Sequence, residues 1–148
     1  MADYLASLGA EKITEEQWEA LRRRFAGVSE GYLRRLVRDS GLPMDPLVEG
    51  VRQENYDELA RTLLALHAEY SRAAKAGDQE RQTACRRLVI EAKDHARWAA
   101  RRAKDPAKRE AKEEMASWML VWLETPDAFP VWLDLRRKKL AGEREPGN

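Results

Sequence analysis

The sequence is poor in the residues that cross-link small secreted domains, because it contains a single cysteine, Cys85. One thiol cannot form a disulfide within the chain, which favours a reducing compartment, and we expect a cytoplasmic protein. Long apolar runs are also missing, since no stretch approaches the roughly 18 apolar residues that a membrane-spanning helix needs. The opening residues MADYLASLGAEKI carry an early acidic side chain and no apolar run. We therefore expect neither a signal peptide nor contact with a membrane.

Glycine, proline and net charge are scarce as well. The 148 residues include 8 glycines and 6 prolines, and the formal net charge is +1. Alanine, leucine, glutamate, arginine and lysine dominate, and these residue types lose little conformational freedom in a helix. No segment alternates apolar and polar residues with the period of a strand. The composition therefore predicts an all-α fold, a single compact domain of six or seven helices with short connections.

Local signals mark where these helices begin and end. Thr14 and Gln17 have the spacing of a capping box, and the pair Asp105-Pro106 has the form of an N-cap followed by a proline in the first turn. Gly41 and Gly77 suit the left-handed position at a helix end. We predict helices over about 14–25, from Ser29 to before Gly41, and over about 46–52, 55–76, 79–104, 106–124 and 130–139. Residues 1–140 are predicted to form the single domain and residues 141–148 a polar flexible tail.

The stretch AGVSEGYLRRLVRDSG, residues 26–41, contains a turn glycine followed by a basic helix. It resembles the S-x-x-Y-L-x-R-L opening of the recognition helix in AraC-type transcriptional regulators, the matching residues being Ser29, Tyr32, Leu33, Arg35 and Leu36. The resemblance implies a helix-turn-helix over residues 14–41, because arginines on such a helix pair with guanine edges and phosphates. The residues that it turns toward the DNA major groove are Glu30, Gly31, Arg34, Arg35 and Arg38.

Two features depart from that family pattern. Arg23 occupies a position where a small residue is wanted, so it would be desolvated between the helices or would push them apart. The distance from Ser29 to Gly41 is one residue shorter than usual, and the second motif of the family is missing. The plainer interpretation is that the arginines lie on solvated faces of two surface helices, near acidic residues such as Glu19. We favour this interpretation.

A second basic region covers residues 81–112, where eleven Lys and Arg oppose four acidic residues. Arg97, Arg101 and Arg102 near its centre are candidate contacts to a nucleic acid or another partner. Trp98 lies among them, and its ring could stack on a base. A helix that displays charge for solubility is the plainer alternative. An acidic protein surface or a second copy of this chain is a third.

The segment MASWMLVWLETPDAFPVWL is rich in tryptophan and methionine. Trp118 and Trp122 are four residues apart and share a helix face, which Met119 extends. We expect this face to form the main core, closed by Trp132 and Leu135 of the last helix. The functional alternative is a groove lined by Trp118, Met119 and Trp122 that accepts a partner helix or an apolar ligand.

Catalytic and metal-binding patterns are absent from the sequence. It contains two histidines, no glycine-rich phosphate loop and no Cys-x-x-Cys pair. Glu91 and His95 are one helical turn apart, a spacing that most often gives a surface hydrogen bond. We predict no catalytic residue, no metal and no cofactor. The prediction is a non-enzymatic binding or adaptor protein that acts through basic and aromatic helix faces, with a protein partner or self-association favoured. A DNA-binding regulator using residues 14–41 is the alternative.

Overall fold

The prediction of an all-α fold is confirmed. The structure is a computed structural model that describes residues 13–41 and 43–144. These residues form seven helices and no strand, apart from an isolated β-bridge between Ile13 and Met44. Within the same ranges, the helices are too short or too polar to cross a membrane.

The chain divides into two compact units between Glu49 and Gly50. The described helices of the first unit are α1 (Glu15–Arg24), α2 (Glu30–Asp39) and α3 (Pro46–Glu49). Those of the second unit are α4 (Tyr56–Ala76), α5 (Gln79–Arg102), α6 (Pro106–Glu124) and α7 (Phe129–Arg144). The single domain over residues 1–140 stays a prediction. Helix α7 continues past residue 140, and residues 145–148 of the predicted tail lie outside the described residues.

The helix ends follow the local signals in the sequence. At the start of α1, the Gln17 amide donates to Thr14 Oγ1 (3.3 Å) and the Thr14 amide donates to Gln17 Oε1 (2.9 Å). Both halves of the predicted capping box are therefore confirmed. Asn55 caps α4 through the Glu58 amide (2.8 Å), and Gly77 ends this helix with a φ of 72°. A glycine suits this position because the left-handed conformation is strained for other residues.

The first unit closes around a small core formed by Ile13, Trp18, Leu21, Leu33 and Val37. Its start is tied to the segment before α3, because the Ile13 amide donates to the Pro43 carbonyl (2.7 Å) and the Asp45 amide donates to the Ile13 carbonyl (2.8 Å). The helix predicted over 46–52 ends earlier, at Glu49. The physical reason is Gly50, whose φ of 73° takes the backbone out of the helical region.

In the second unit, α5 and α6 pack against each other along their lengths, joined by the short connection 103–105. The buried face of α5 consists of Cys85, Val89, Ala96 and Ala100. Small side chains at Ala96 and Ala100 allow the neighbouring helix to come close. This pair of helices forms the frame of the unit.

The tryptophan-rich part of α6 supplies the largest buried side chains of the second unit. The Trp122 indole donates to the Leu63 carbonyl of α4 (3.1 Å), and the Trp118 ring lies 5.1 Å from that of Tyr56. Helix α7 covers this core with a different face from the predicted one. Phe129 and Leu133 are buried, whereas Leu135 is exposed. The helix begins at Phe129, and Phe129 and Leu133, four residues apart on one face, are the residues that pack inward.

A leading segment, residues 50–55, runs ahead of α4 and contacts three helices of the second unit. The Arg52 amide donates to Thr62 Oγ1 of α4 (3.1 Å). The Gln53 side-chain amide donates to the Ala92 carbonyl of α5 (3.1 Å), and Lys112 Nζ of α6 donates to the Gln53 carbonyl (3.4 Å). Polar contacts therefore fix this segment at both its backbone and its side chains.

Candidate binding surface

Arg34, the central arginine of the recognition-helix resemblance, is occupied inside the first unit. Its guanidinium lies over the Trp18 ring, 4.7 Å from the ring centroid, and donates to the Val48 carbonyl (3.1 Å). It also pairs with Glu30 (3.2 Å), and its side chain is 16% exposed. A guanidinium held by a ring face, a carbonyl and a carboxylate does not lie on the outer face of α2. The outward orientation that the resemblance implies is therefore corrected for Arg34.

The other arginines of the first unit stay at the surface. Arg35 and Arg38 of α2 are exposed, and Arg35 makes no hydrogen bond or ion pair with any described residue. Arg23 of α1 is exposed too. The helix-turn-helix interpretation would desolvate Arg23 or push the two helices apart, whereas Arg23 lies at the surface, as the plainer interpretation expects. The outer face of α2 keeps one arginine without a described partner.

The second unit carries a denser positive surface, which we name the basic corner. It comprises residues 97–109: the last turns of α5, the connection and the first turn of α6. This stretch holds six Lys and Arg but one acidic residue, Asp105. Asp105 is the N-cap of α6, and its carboxylate accepts from the Ala107 amide (3.1 Å). The chain changes direction here because Ala103 has an extended backbone conformation, which ends α5, and because Pro106 is the first residue of α6.

The cations of the basic corner have no carboxylate partner among the described residues. Arg109 donates to the Ala103 carbonyl (2.9 Å), and Arg102 lies over the ring of Trp98. The remaining four are exposed and make no hydrogen bond or ion pair within the described ranges: Arg97, Arg101, Lys104 and Lys108. Other arginines of the second unit are paired with acids, such as Arg136 with Glu114 and Arg81 with Glu69. The corner therefore presents positive charge that its own unit leaves un-neutralised.

An exposed tryptophan lies within this surface. Trp98 is 48% exposed, and the Arg102 guanidinium is 4.6 Å from its ring centroid. The His95 ring lies 6.0 Å away at an interplanar angle of 30°. His95, Trp98 and Arg102 follow one face of α5 at helical spacing, and we call them the stacked column. The sequence predicted Trp98 and Arg102 as contacts but paired His95 with Glu91, although the spacing of three residues also places His95 beside Trp98.

The three groove candidates lie in the core. Trp118, Met119 and Trp122 are fully buried, so none of them presents a side-chain face to a partner. Their polar atoms are also occupied within the unit, because the Trp118 indole donates to Glu114 (2.6 Å). These three residues therefore belong to the core of the second unit and do not line an open groove.

Two carboxylates, the buried Glu69 and the partly buried Glu114, each pair with an arginine of another helix. Glu114 of α6 accepts from Arg136 Nε of α7 (2.8 Å). This hydrogen bond lowers the pKa of Glu114 against the opposing effect of burial, and it raises the pKa of Arg136. Glu69 of α4 pairs with Arg72 and with Arg81 of α5. Each carboxylate is thus bound by arginine rather than being open to a substrate.

Metal-ligand geometry is likewise missing from the described ranges, where no three His, Cys, Asp or Glu side chains converge. No protein-family model matches the chain, and no curated protein or solved structure matches it either. What this protein binds is therefore inferred from its own residues. Among them, the basic corner with its exposed tryptophan has the chemistry to hold an anionic group.

Proposed function

We propose that this is a non-enzymatic binding protein whose contact surface is the basic corner and whose partner is an anionic macromolecule. The observation that carries the proposal is the group of four exposed cations without a described partner. Salt screens charges that are farther apart than the Debye length, about 8 Å at physiological ionic strength. Neighbouring cations of the corner can therefore attract the same anionic ligand together. The single cysteine, which is buried, agrees with the cytoplasm as the location that we propose.

Local helix stability accounts for part of this charge only. Arg101 and Arg102 lie in the last turn of α5, where a cation is favourable for the helix dipole. Lys108 and Arg109 lie in the first turn of α6, where the dipole favours the opposite sign, and that turn contains no acidic residue. Arg109 is accounted for by its hydrogen bond to the Ala103 carbonyl, whereas Lys108 makes no described polar contact. An anionic partner accounts better for the charge of Lys108 than a display of charge for solubility does.

A second candidate is the DNA-binding regulator that acts through the first unit. Arg35 favours it, since this arginine is exposed on α2 and makes no described polar contact. The inward position of Arg34 weighs against it, because one of the three candidate arginines is already occupied. We rank it below the basic corner.

The test is fluorescence-anisotropy binding of labelled single-stranded and duplex DNA, with the salt concentration varied. We expect binding at low salt, with an affinity that falls linearly in a log–log plot against salt because phosphate contacts release counterions. The double variant Arg97→Gln/Arg101→Gln should reduce the single-strand slope by about 1.4, at about 0.7 for each phosphate contact.

The matched control is Lys75→Gln/Arg87→Gln, which removes the same charge at two exposed cations without described polar partners outside the corner. Its slope and affinity should stay close to those of the wild type. A larger loss in this control than in the corner variant would contradict the proposed surface. A loss confined to Arg35→Gln would instead support the regulator, and absence of binding at low salt would remove a nucleic acid as the partner.

A further inference from the structure

We infer that the anionic partner is single-stranded nucleic acid, with one base stacked on Trp98 and the flanking phosphates bound by Arg97 and Arg101. This inference depends on the proposed function, because it names the partner of the same basic corner. It adds a role for the indole, which a purely electrostatic surface does not need.

Trp98 is the exposed tryptophan of the basic corner. It leaves about half of its surface in water, whereas Trp18, Trp118 and Trp122 are buried. Trp132 is partly buried in the second unit. Tryptophan gains more from burial than most residues, so an indole kept at the surface beside unpaired cations is suited to contact with a flat apolar ligand. A nucleobase joined to phosphate combines both requirements.

Two side chains, Arg102 and His95, lie beside the Trp98 ring. Arg102 lies over Trp98 without a carboxylate to fix it, and a cation–π contact at an exposed site is weak. A base can therefore take the place of the guanidinium, and Arg102 is then released to meet a phosphate. The neighbouring His95 ring already shows that a planar group fits along this face.

A single strand fits Trp98 better than other anions do. In a duplex the base faces are covered by neighbouring bases, so an indole can reach them only in a single strand or a loop. An acidic protein would be attracted by the arginines but offers few flat faces for Trp98. Arg97 and Arg101 are one helical turn apart, about 6 Å along the axis. This spacing is comparable with that of successive phosphates in an extended strand.

The experiment compares two labelled strands of about 15 nucleotides, near the largest site size of single-strand binding modules. One is oligothymidine, and the other is its abasic analogue, which keeps the backbone charge and lacks the bases. We expect the wild-type protein to bind the base-bearing strand about 5-fold to 150-fold more tightly, as stacking of one base predicts. In Trp98→Leu this preference should disappear while binding of the abasic strand is unchanged. Trp98→Phe should restore part of it.

The outcomes separate the inference from the proposed function. Equal binding of both strands, or a preference that survives in Trp98→Leu, overturns the role of the indole and leaves an anion-binding corner. Binding of polyglutamate of matched charge as tightly as oligothymidine overturns the choice of nucleic acid in favour of an acidic protein. No binding of any of these probes at low salt overturns both. Circular dichroism of Trp98→Leu checks its fold, which should be unchanged because the side chain is exposed.

Discussion

Replacing Glu69 by glutamine should destabilise the second unit more than any exposed ion-pair change. The Glu69 side chain is 3% exposed and holds two arginines, Arg72 on its own helix and Arg81 on α5. Because one partner lies on the next helix, the carboxylate joins α4 to α5. Glutamine keeps the size of the side chain but removes its charge and one of its two acceptor oxygens.

The magnitude follows from the burial of the three groups. A hydrogen bond to a charged group contributes about 1.5–3 kcal/mol to the free energy of unfolding. The arginine side chains are 65% and 31% exposed, so both guanidinium groups can return to water after the change, which lowers the cost. The remaining glutamine oxygen still accepts one hydrogen bond. We therefore expect Glu69→Gln to reduce the free energy of unfolding by about 1–2 kcal/mol.

The assay is urea unfolding followed by far-ultraviolet circular dichroism. With a denaturant slope of about 2 kcal/mol per molar urea, the middle of the usual range, the midpoint should fall by about 0.5–1 M. The control is Asp134→Asn, which breaks an exposed pair with Lys138 on α7 (3.0 Å) and should change the free energy by less than about 0.5 kcal/mol. Equal midpoints for the two variants would refute the reasoning that burial makes the Glu69 pairs matter.

Two further predictions concern α6 and α5. The pKa of Glu114 is lowered in the folded state, so its charge stabilises the fold above its ordinary value of 4.5, and this contribution is lost as the pH falls through the lowered value. Glu114→Gln should therefore flatten the acid side of the stability–pH curve, measured as urea midpoints, and a parallel decline of both proteins would contradict this. Ala96→Leu overfills the fully buried contact of α5 and should cost about 1–3 kcal/mol in thermal or urea unfolding. Ala74→Leu, at an exposed position on α4, is its control and should change stability by less than about 0.5 kcal/mol.

Helix ends could be predicted from the sequence because their chemistry is local. The caps at Thr14, Ser29 and Asn55 each use an amide three residues later, so the spacing alone identifies them. The face that α7 turns toward the core cannot be predicted from local spacing in this way. It depends on what the helix packs against, and the sequence does not tell whether Phe129 or Trp132 meets the core.

The sequence predicts that the candidate surface is basic, but it does not predict which of the arginines are bound within the fold. Composition picks out the basic stretch that contains Arg97 and Arg101, since local density needs no tertiary information. Arg34 looks equivalent to Arg35 in the sequence, yet its partners are a ring on α1 and a carbonyl fourteen residues later. A cation stays available to a ligand only where the fold places no acceptor beside it. The sequence does not show where distant acceptors lie, so it does not show which arginines stay available.

The leading segment has a consequence for the order in which the second unit assembles. Helices α5 and α6 meet after closure of the connection 103–105, whereas the contacts of Gln53 with Ala92 and Lys112 span 39 and 59 residues. Short loops close at low entropic cost and long ones at a higher cost. We therefore expect the α5–α6 hairpin to form before the leading segment docks. Because residues 50–55 contain no helix, their amides should exchange with solvent before those of the helices that they contact.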